Sequence, residues 1–137
     1  MNEQDAREFV ARNHRGVLAT IKRDGRPQLS NVAYALDHDG RLKVSVTRTR
    51  AKTRNLQRDP RASITVLGDN WYQYIVVEAR AEIQDDPQVI ADLRRVYEMI
   101  SGKPHPNWSE FDDAMAREGR VLLALTIERM YPLSASP

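Results

Sequence analysis

Glycine turns between short alternating segments constrain the fold of this chain more than any other feature. Asp24-Gly25 lies between residues 17–22 and 27–36, and Asp39-Gly40 lies before residues 42–47, where apolar residues recur at every second position. A tight turn that contains glycine usually joins two neighbouring antiparallel strands. The pattern therefore predicts a three-stranded antiparallel meander. Its strands are expected at residues 17–22, 27–36 and 42–47.

The remaining sequence predicts three more strands and four helices within one domain. The strands are expected at residues 62–67, 72–83 and 120–133, and the helices near residues 5–13, 49–58, 87–101 and 108–118. The chain has 137 residues, no linker-like tract and no internal repeat, which fits a single domain over residues 1–137. We therefore expect a small, mainly β barrel of α+β character, with six antiparallel strands and with flanking and inserted helices.

Several classes of site are excluded by composition. The absence of cysteine rules out a disulfide framework, a thiolate nucleophile and a cysteine-ligated metal. His14, His38 and His105 are far apart and match no metal-binding spacing, so no metal is expected. No apolar run approaches the ~18 residues that a membrane span needs, and the N-terminus does not resemble a signal peptide. We expect a cytoplasmic protein with no membrane partner.

A cluster of basic residues in the middle of the chain is the strongest candidate for a ligand site. Arg48, Arg50, Lys52, Arg54 and Arg58 fall within eleven residues, although the whole chain has a net charge of only +2. A helix N-terminus has unpaired N–H groups and a partial positive charge, so this segment could hold a phosphate. A solvated basic helix face is the alternative, and the pattern alone favours it. The near-neutral total charge argues against a nucleic-acid partner.

Polar side chains are unusually frequent in the second predicted strand. Gln28, Ser30 and Val32 share one face, whereas Asn31 lies on the other. Amide and hydroxyl groups in mid-strand can hydrogen-bond a planar heterocycle. An edge strand in contact with solvent would show the same pattern, and both interpretations remain open on the residues alone.

Aromatic residues at the start of the fifth predicted strand form a further candidate. Trp71 and Tyr74 can stack on a ligand or fill a dimer interface, and core packing explains them equally well. No side chain is identified as catalytic, since only Tyr34, Tyr74 and His105 are candidate proton donors. If the protein is an enzyme, a cofactor must supply its reactivity.

Four segments together resemble the signatures of a known superfamily. They are residues 16–20, residues 24–31, residues 50–56 (RAKTRNL) and residues 59–63 (DPRAS). These segments resemble the split β-barrel flavin/deazaflavin superfamily, and more narrowly the actinobacterial F420-dependent reductases related to pyridoxamine 5′-phosphate oxidase. The resemblance covers nearly the whole chain, and RAKTRNL followed by DPRAS is its most specific part.

The resemblance implies a homodimer with two cofactor sites at the subunit interface. By analogy, the residues that hold the cofactor phosphate are Arg50, Lys52 and Thr53. The resemblance therefore favours a phosphate site over a solvated helix face. The residues that would lie along the ring system are Gln28, Ser30, Asn31 and Val32. Arg54 and Arg58 would meet the polyglutamate tail of F420, and Trp71 or Tyr74 would cover the ring or the substrate from the partner subunit.

The implied activity is hydride transfer between reduced F420 and an electron-poor small molecule such as an enone, a quinone or a tetrapyrrole. FMN is the alternative cofactor, because it shares the ribityl phosphate and the tricyclic ring. A noncatalytic F420-binding or carrier protein is a second alternative. The chain has no match to the pyridoxal-binding tail of true pyridoxamine phosphate oxidases, so that oxidation is not expected.

Overall fold

The computed structural model describes residues 1–133, which form one curled antiparallel sheet and four helices. The helices are α1 (Glu3–Arg12), α2 (Ala51–Arg58), α3 (Val89–Ser101) and α4 (Trp108–Glu118). The strands are β1 (Arg15–Ile21), β2 (Pro27–Ala33), β3 (Ala35–Leu36), β4 (Leu42–Thr47), β5 (Arg61–Leu67), β6 (Tyr74–Gln84) and β7 (Arg120–Tyr131). The expected α+β split barrel is confirmed, with seven strands in the described residues rather than six.

The additional strand arises because the predicted strand over residues 27–36 is broken at Tyr34. The sheet order is β2-β1-β5-β6-β7-β4-β3, so β2 and β3 lie at opposite ends of it. Tyr34 is fully buried between them, and its hydroxyl donates a 2.6 Å hydrogen bond to the carbonyl of Val10 in α1. The predicted three-stranded meander is therefore wrong: β2 pairs with β1, whereas β4 pairs with β3 and β7.

Two apolar clusters hold the helices against the sheet. The first lies inside the curl, where Phe9 and Val10 of α1 pack with Leu18, Ile64 and other buried strand residues. The second lies on the outer face of β7 and β3, where α3 and α4 cover Leu122 and Ala35. No helix of the described residues covers the outer face of β1 and β5, where alternate side chains remain partly exposed.

The curled sheet does not close, and the gap lies between β2 and β4. Among the strands of residues 1–133, β2 pairs with β1 alone, and the two residues of β3 pair only with Leu42 and Lys43. The second half of β4, Val44–Thr47, therefore has no strand on the side that faces β2. Helix α2 follows β4 directly and lies at this gap.

The glycine turns agree with the prediction, and one further glycine is required by close approach. Gly25 and Gly40 have φ values of 88° and 82°, in the region that favours glycine. At Gly16 of β1 an added Cβ would lie 2.6 Å from the carbonyl oxygen of Thr65 in β5. Any larger residue at Gly16 would push these two central strands apart.

Two helix starts differ from the prediction. Helix α2 begins at Ala51 rather than at the predicted residue 49, and Arg50 before it makes no side-chain cap. Helix α3 begins at Val89, because Asp86 accepts a hydrogen bond from the backbone N–H of Gln88 in the turn before the helix. Within residues 1–133, no helix has both the length and the apolar character needed to cross a membrane.

Candidate functional site

The gap between β2 and β4 is a cleft with a volume of about 500 Å³. Its walls are the ends of β2 and β4, the first turn of α2 and the start of β7. The lining residues include Asn31 and Val32 on one side and Arg50, Lys52 and Arg120 on the other. The structure therefore brings together four of the residues that the sequence proposed as a cofactor site. We call this space the cationic cleft.

All the charged side chains that line the cationic cleft are cations. Neither Arg50 nor Lys52 forms a side-chain hydrogen bond or ion pair within residues 1–133. Burial lowers the pKa of Lys52, and the positive charges of Arg50 and Arg120 lower it further. Arg120 pairs with Glu118 at 3.1 Å, whereas Arg50 and Lys52 have no carboxylate partner within residues 1–133, so these two charges would favour an anion in the cleft.

The first turn of α2 adds hydrogen-bond donors to the same cleft. The first intrahelical backbone bond runs from Arg54 to Arg50, so the N–H groups of residues 51–53 have no helical acceptor. Helices α1 and α4 differ, because Asn2 and Asn107 cap them through their side chains. The uncapped N-terminus of α2 leaves its partial positive charge available to a ligand.

Thr53 lies close to this turn but is directed elsewhere. Its side chain is fully buried, and its hydroxyl donates a 2.9 Å hydrogen bond to the carbonyl of Thr47. This bond ties α2 to the end of β4. In this arrangement Thr53 fixes the position of the turn, and its hydroxyl proton is already engaged.

A second basic groove lies beside the cationic cleft, on the other side of α2. Its volume is about 890 Å³ and its lining includes Arg54 and Gln28. The other charged lining residues are Lys22, Arg23 and Arg58, so this groove also contains no carboxylate. Arg58 donates to the carbonyl of Ile21 and to Asn55, which ties α2 to β1. We call this space the basic groove.

The polar residues of β2 divide between the two faces of the sheet. Gln28 and Ser30 are in register with Thr20 and Leu18, whose side chains point into the barrel. Val32 packs against the same inner cluster, whereas Asn31 lies on the outer face. A ligand in the gap therefore meets both faces of β2 along its open edge rather than a single row of side chains.

Ser30 carries an unsatisfied polar atom. Its Oγ is buried and has no hydrogen-bond partner in the described structure. Buried hydroxyls of this kind normally find a partner, so an orphaned one indicates a place where a ligand or water completes the bonding. Ser30 lies on the strand that forms one wall of the gap.

Trp71 lies in the β5–β6 turn, on the far side of β2 from the cationic cleft. The indole is 81% exposed and lines a third cleft with a volume of about 570 Å³. Asn31, Val32 and Ala33 line both this cleft and the cationic cleft. Tyr74 begins β6 opposite Leu67 and is 43% exposed.

Two of the candidate proton donors are engaged in packing. Burial raises the pKa of Tyr34, whose hydroxyl is bound to Val10 as described above. His105 packs against Tyr97, Trp108 and Phe111, and its Nδ1 accepts a hydrogen bond from the backbone N–H of Asn107. No group of three or more histidine, aspartate or glutamate residues in the described part of the chain could hold a metal ion.

Sequence reasoning missed Arg120 and the pair Lys22 and Arg23. Arg120 follows Gly119 at the start of β7, and it reaches the cleft because Thr47 and Arg120 are opposite each other across β4 and β7. Lys22 and Arg23 directly precede the predicted turn at Asp24-Gly25 and looked like ordinary turn residues. Only the strand register places these cations beside α2.

Comparison with known proteins agrees with this architecture. The sequence pattern of the pyridoxamine 5′-phosphate oxidase family matches residues 3–134. The conserved hypothetical protein Rv2991 from Mycobacterium tuberculosis is 28% identical, with a TM-score of 0.76 and coverage of 100% of this chain and 92% of that one. A protein described as an F420 reductase is 26% identical, with a TM-score of 0.68 and coverage of 90% and 94%.

The fold is also shared with a protein of another description. HutZ, the haem storage protein from Vibrio cholerae, is 21% identical, with a TM-score of 0.66 and coverage of 96% of this chain and 94% of its own. At that identity the likeness concerns the fold alone. The family pattern matches residues 3–134, which is nearly the whole chain, and this chain therefore belongs to the pyridoxamine 5′-phosphate oxidase family.

Proposed function

We propose that this protein is an oxidoreductase that binds coenzyme F420 and reduces an electron-poor organic acceptor. The observation that carries the proposal is the concentration of cations around α2, with no carboxylate in either the cationic cleft or the basic groove. The similarity to a protein described as an F420 reductase supports it. When bound, reduced F420 supplies a hydride, which no side chain of this protein can provide.

The cationic cleft suits the phosphate of the cofactor. Arg50, Lys52 and the free N–H groups at the start of α2 would bind its oxygens, and the desolvated Lys52 ammonium would gain most from an anionic partner. The open edge of β2 would lie along the ring system, where Ser30 Oγ still lacks a partner. These residues position the cofactor and supply no proton.

The basic groove favours F420 over FMN. FMN has one anionic group, its phosphate, which the cationic cleft alone would satisfy. The polyglutamate tail of F420 carries additional carboxylates. The basic groove can meet them with Arg54, Lys22 and Arg23, whose side chains have no partner in residues 1–133. A cofactor that uses both spaces around α2 therefore matches the charge distribution better.

A parallel titration of the purified protein with F420 and with FMN tests this assignment. We expect F420 to bind at micromolar concentration or below and FMN to bind more weakly. Tight binding of FMN alone would assign the protein to flavin chemistry. Tight binding of F420 whose reduced form is not oxidised by any enone, quinone or tetrapyrrole acceptor would favour a noncatalytic carrier.

We also propose that the functional unit is a homodimer. Leu29 on β2 is 61% exposed on the outer face of the sheet. On the neighbouring strands β1 and β5, no helix of residues 1–133 covers this outer face. A second copy is the natural cover for such a face, because the partner would bury Leu29 and neighbouring side chains. Light scattering should give twice the 15.7 kDa mass of one chain. A monomer at micromolar concentration would contradict this proposal.

A further inference from the structure

Lys52 has surroundings unlike those of the other lysines of this chain. The sequence contains four lysines, at positions 22, 43, 52 and 103. Lys43 is buried and ion-paired with two aspartates, whereas Lys22 and Lys103 are exposed to solvent. Lys52 is half-buried in the cationic cleft, and its ammonium has no carboxylate partner within residues 1–133. It is therefore withdrawn from water without being neutralised by an ion pair.

These surroundings favour the uncharged amine of Lys52. Burial lowers its pKa, and the positive charges of Arg50 and Arg120 lower it further. The free amine is the nucleophilic form of lysine, and desolvation beside another cation is one of the ways in which proteins activate it. The Nζ of Lys52 is therefore better prepared to attack an electrophilic carbon than the amine of an exposed lysine.

The cationic cleft can also hold a phosphate group beside this amine. Arg50 and Arg120 line the same space of about 500 Å³ as Lys52. Arg50 has no side-chain partner within residues 1–133, so its guanidinium is free to bind two phosphate oxygens. Arg120 is partly engaged, since it pairs with Glu118 at 3.1 Å and donates to the carbonyl of Ser45 at 3.5 Å. An acyl phosphate suits both features, because its electrophilic carbon is attached directly to the phosphate.

We propose that Lys52 is a site of covalent acylation, and that the acyl donor is a small acyl phosphate whose phosphate binds to Arg50 in the cationic cleft. The ammonium first releases one proton to water. The nitrogen then attacks the acyl carbon, so that an N–C bond forms and the C–O bond to the phosphate breaks. The second proton leaves the nitrogen with the departing phosphate. The products are an N-acyl lysine and inorganic phosphate, and neither reactant is oxidised or reduced.

Acylation would change the cationic cleft in both charge and free volume. The amide is uncharged, so Arg50 would be left as the cation of the cleft that lacks a carboxylate partner within residues 1–133. The acyl group would also occupy part of the space. The acylated protein should therefore bind F420 more weakly than the unmodified protein. This consequence rests on the proposed function, whereas the modification itself does not.

The test uses acetyl phosphate as the probe and the folded, full-length protein. Mass spectrometry of its peptides gives the rate of acetylation at each lysine, so the exposed Lys103 serves as the internal reference. The variants are Arg50→Gln and a matched control, Arg54→Gln, which changes an arginine of the neighbouring basic groove. Both arginines are exposed, so neither substitution removes a buried contact. N-hydroxysuccinimidyl acetate is the second acyl donor, because it transfers the same acetyl group without a phosphate.

We expect acetyl phosphate to modify Lys52 faster than Lys103 by about tenfold or more, the gain that a charged hydrogen bond to phosphate provides. Inorganic phosphate should suppress this preference by competition. Arg50→Gln should remove most of the preference, and Arg54→Gln should leave it unchanged. With N-hydroxysuccinimidyl acetate, Arg50→Gln should change the preference much less, because that donor has no phosphate to bind.

Equal rates at Lys52 and Lys103, or equal effects of the two arginine substitutions, would overturn the proposal. An equal effect of Arg50→Gln with both acyl donors would also overturn it, since phosphate binding would then play no part. Titration of the unmodified protein with F420 separates this inference from the proposed function. Selective acetylation of Lys52 in a protein that does not bind F420 would retain the modification site and refute the cofactor assignment. Binding of F420 without selective acetylation would do the reverse.

Discussion

Two basic clusters in this protein have opposite surroundings. In the first, the Lys43 ammonium is 3% exposed and lies 2.9 Å from Asp37 Oδ2 and 3.1 Å from Asp39 Oδ2. Arg95 of α3 donates to both carboxylate oxygens of Asp37, at 2.7 and 3.0 Å. In the second, Arg50, Lys52 and Arg120 meet in the cationic cleft, where Arg120 pairs with Glu118 but Arg50 and Lys52 have no carboxylate partner within residues 1–133.

The contrast separates charges that serve the fold from charges that serve a ligand. Burial alone would raise the pKa of Asp37, but hydrogen bonds from Arg95 and Lys43 outweigh it and hold that pKa well below its usual value. The pKa of Lys52 is lowered by burial and by its cationic neighbours, so the charged form of Lys52 is disfavoured when no ligand is bound. The ion pairs of Asp37 with Lys43 and Arg95 hold α3 on the sheet. The cations around Lys52 that lack a carboxylate partner would instead favour a bound anion.

Asp37→Asn should give the largest effect. The substitution leaves Lys43 and Arg95 without their shared carboxylate, and removal of one partner from a buried pair costs about 3–5 kcal/mol of unfolding free energy. Urea unfolding followed by circular dichroism measures the loss. Asp59→Asn is the control, since Asp59 pairs with Arg61 at the surface and should change stability little. An equal effect of the two substitutions would remove the distinction between a structural and a surface pair.

The Asp37 contribution should also depend on pH. Because the pKa of Asp37 is lower in the folded protein than its ordinary value of 3.8, the stabilisation is fully present above that value and is lost as the pH falls below it. The difference in unfolding free energy between the wild type and Asp37→Asn should therefore shrink between about pH 5 and about pH 2. A difference that stays constant over this range would show that the carboxylate charge is not the cause.

Lys52→Ala should affect binding and leave the fold intact. Loss of a charged hydrogen bond to phosphate costs about 1.5–3 kcal/mol, so the Kd for F420 should rise about ten- to a hundredfold. The free energy of unfolding should be unchanged or slightly higher, because a cation repelled by Arg50 and Arg120 is removed. Arg48→Ala is the matched control: Arg48 belongs to the same basic segment but already pairs with Asp85 at 2.9 Å. Unchanged F420 affinity in Lys52→Ala would place the phosphate elsewhere.

Arg54→Ala should give the smallest effect and should distinguish the two cofactors. A contact between exposed charges is worth about 0.2–1 kcal/mol, so the F420 Kd should rise by about fivefold at most. FMN affinity should not change, because FMN has no group that reaches the basic groove. Titrations of the wild type and of this variant with both cofactors measure how much the Kd changes for F420 and for FMN. An equal loss for both would mean that Arg54 contacts the shared phosphate.

Local patterns predicted much of the fold. The turns at Gly25 and Gly40 and the end of α2 at Asp59 follow from backbone preferences of a few residues, and the structure places them as expected. The break at Tyr34 has no cause in the local sequence, because residues 32–36 contain no glycine or proline that would end a strand. It depends on the contact between the Tyr34 hydroxyl and Val10 of α1, which is distant in the sequence.

The candidate site was predictable to a similar degree. The basic residues of α2 are adjacent in the sequence, so their clustering was visible from composition and spacing. Arg120 and Arg95 were not, since each takes its place through strand register or helix packing across more than fifty positions. The opposite roles of Lys43 and Lys52 were not predicted either. Asp39 and Asp37 lie only four and six positions before Lys43, but their pairing with it depends on how the turn between β3 and β4 folds.

The incomplete closure of the barrel has a consequence for how the protein opens. Backbone amides along the free edges of β2 and β4 lack the ladder bonds that protect the strand interiors, so hydrogen exchange should be fastest along this seam. A ligand that spans the gap would bind the free edges of β2 and β4 and would slow hydrogen exchange on both edges. Protection that spreads from β2 to β4 on ligand addition would identify the unclosed seam as the part of the protein that a bound molecule completes.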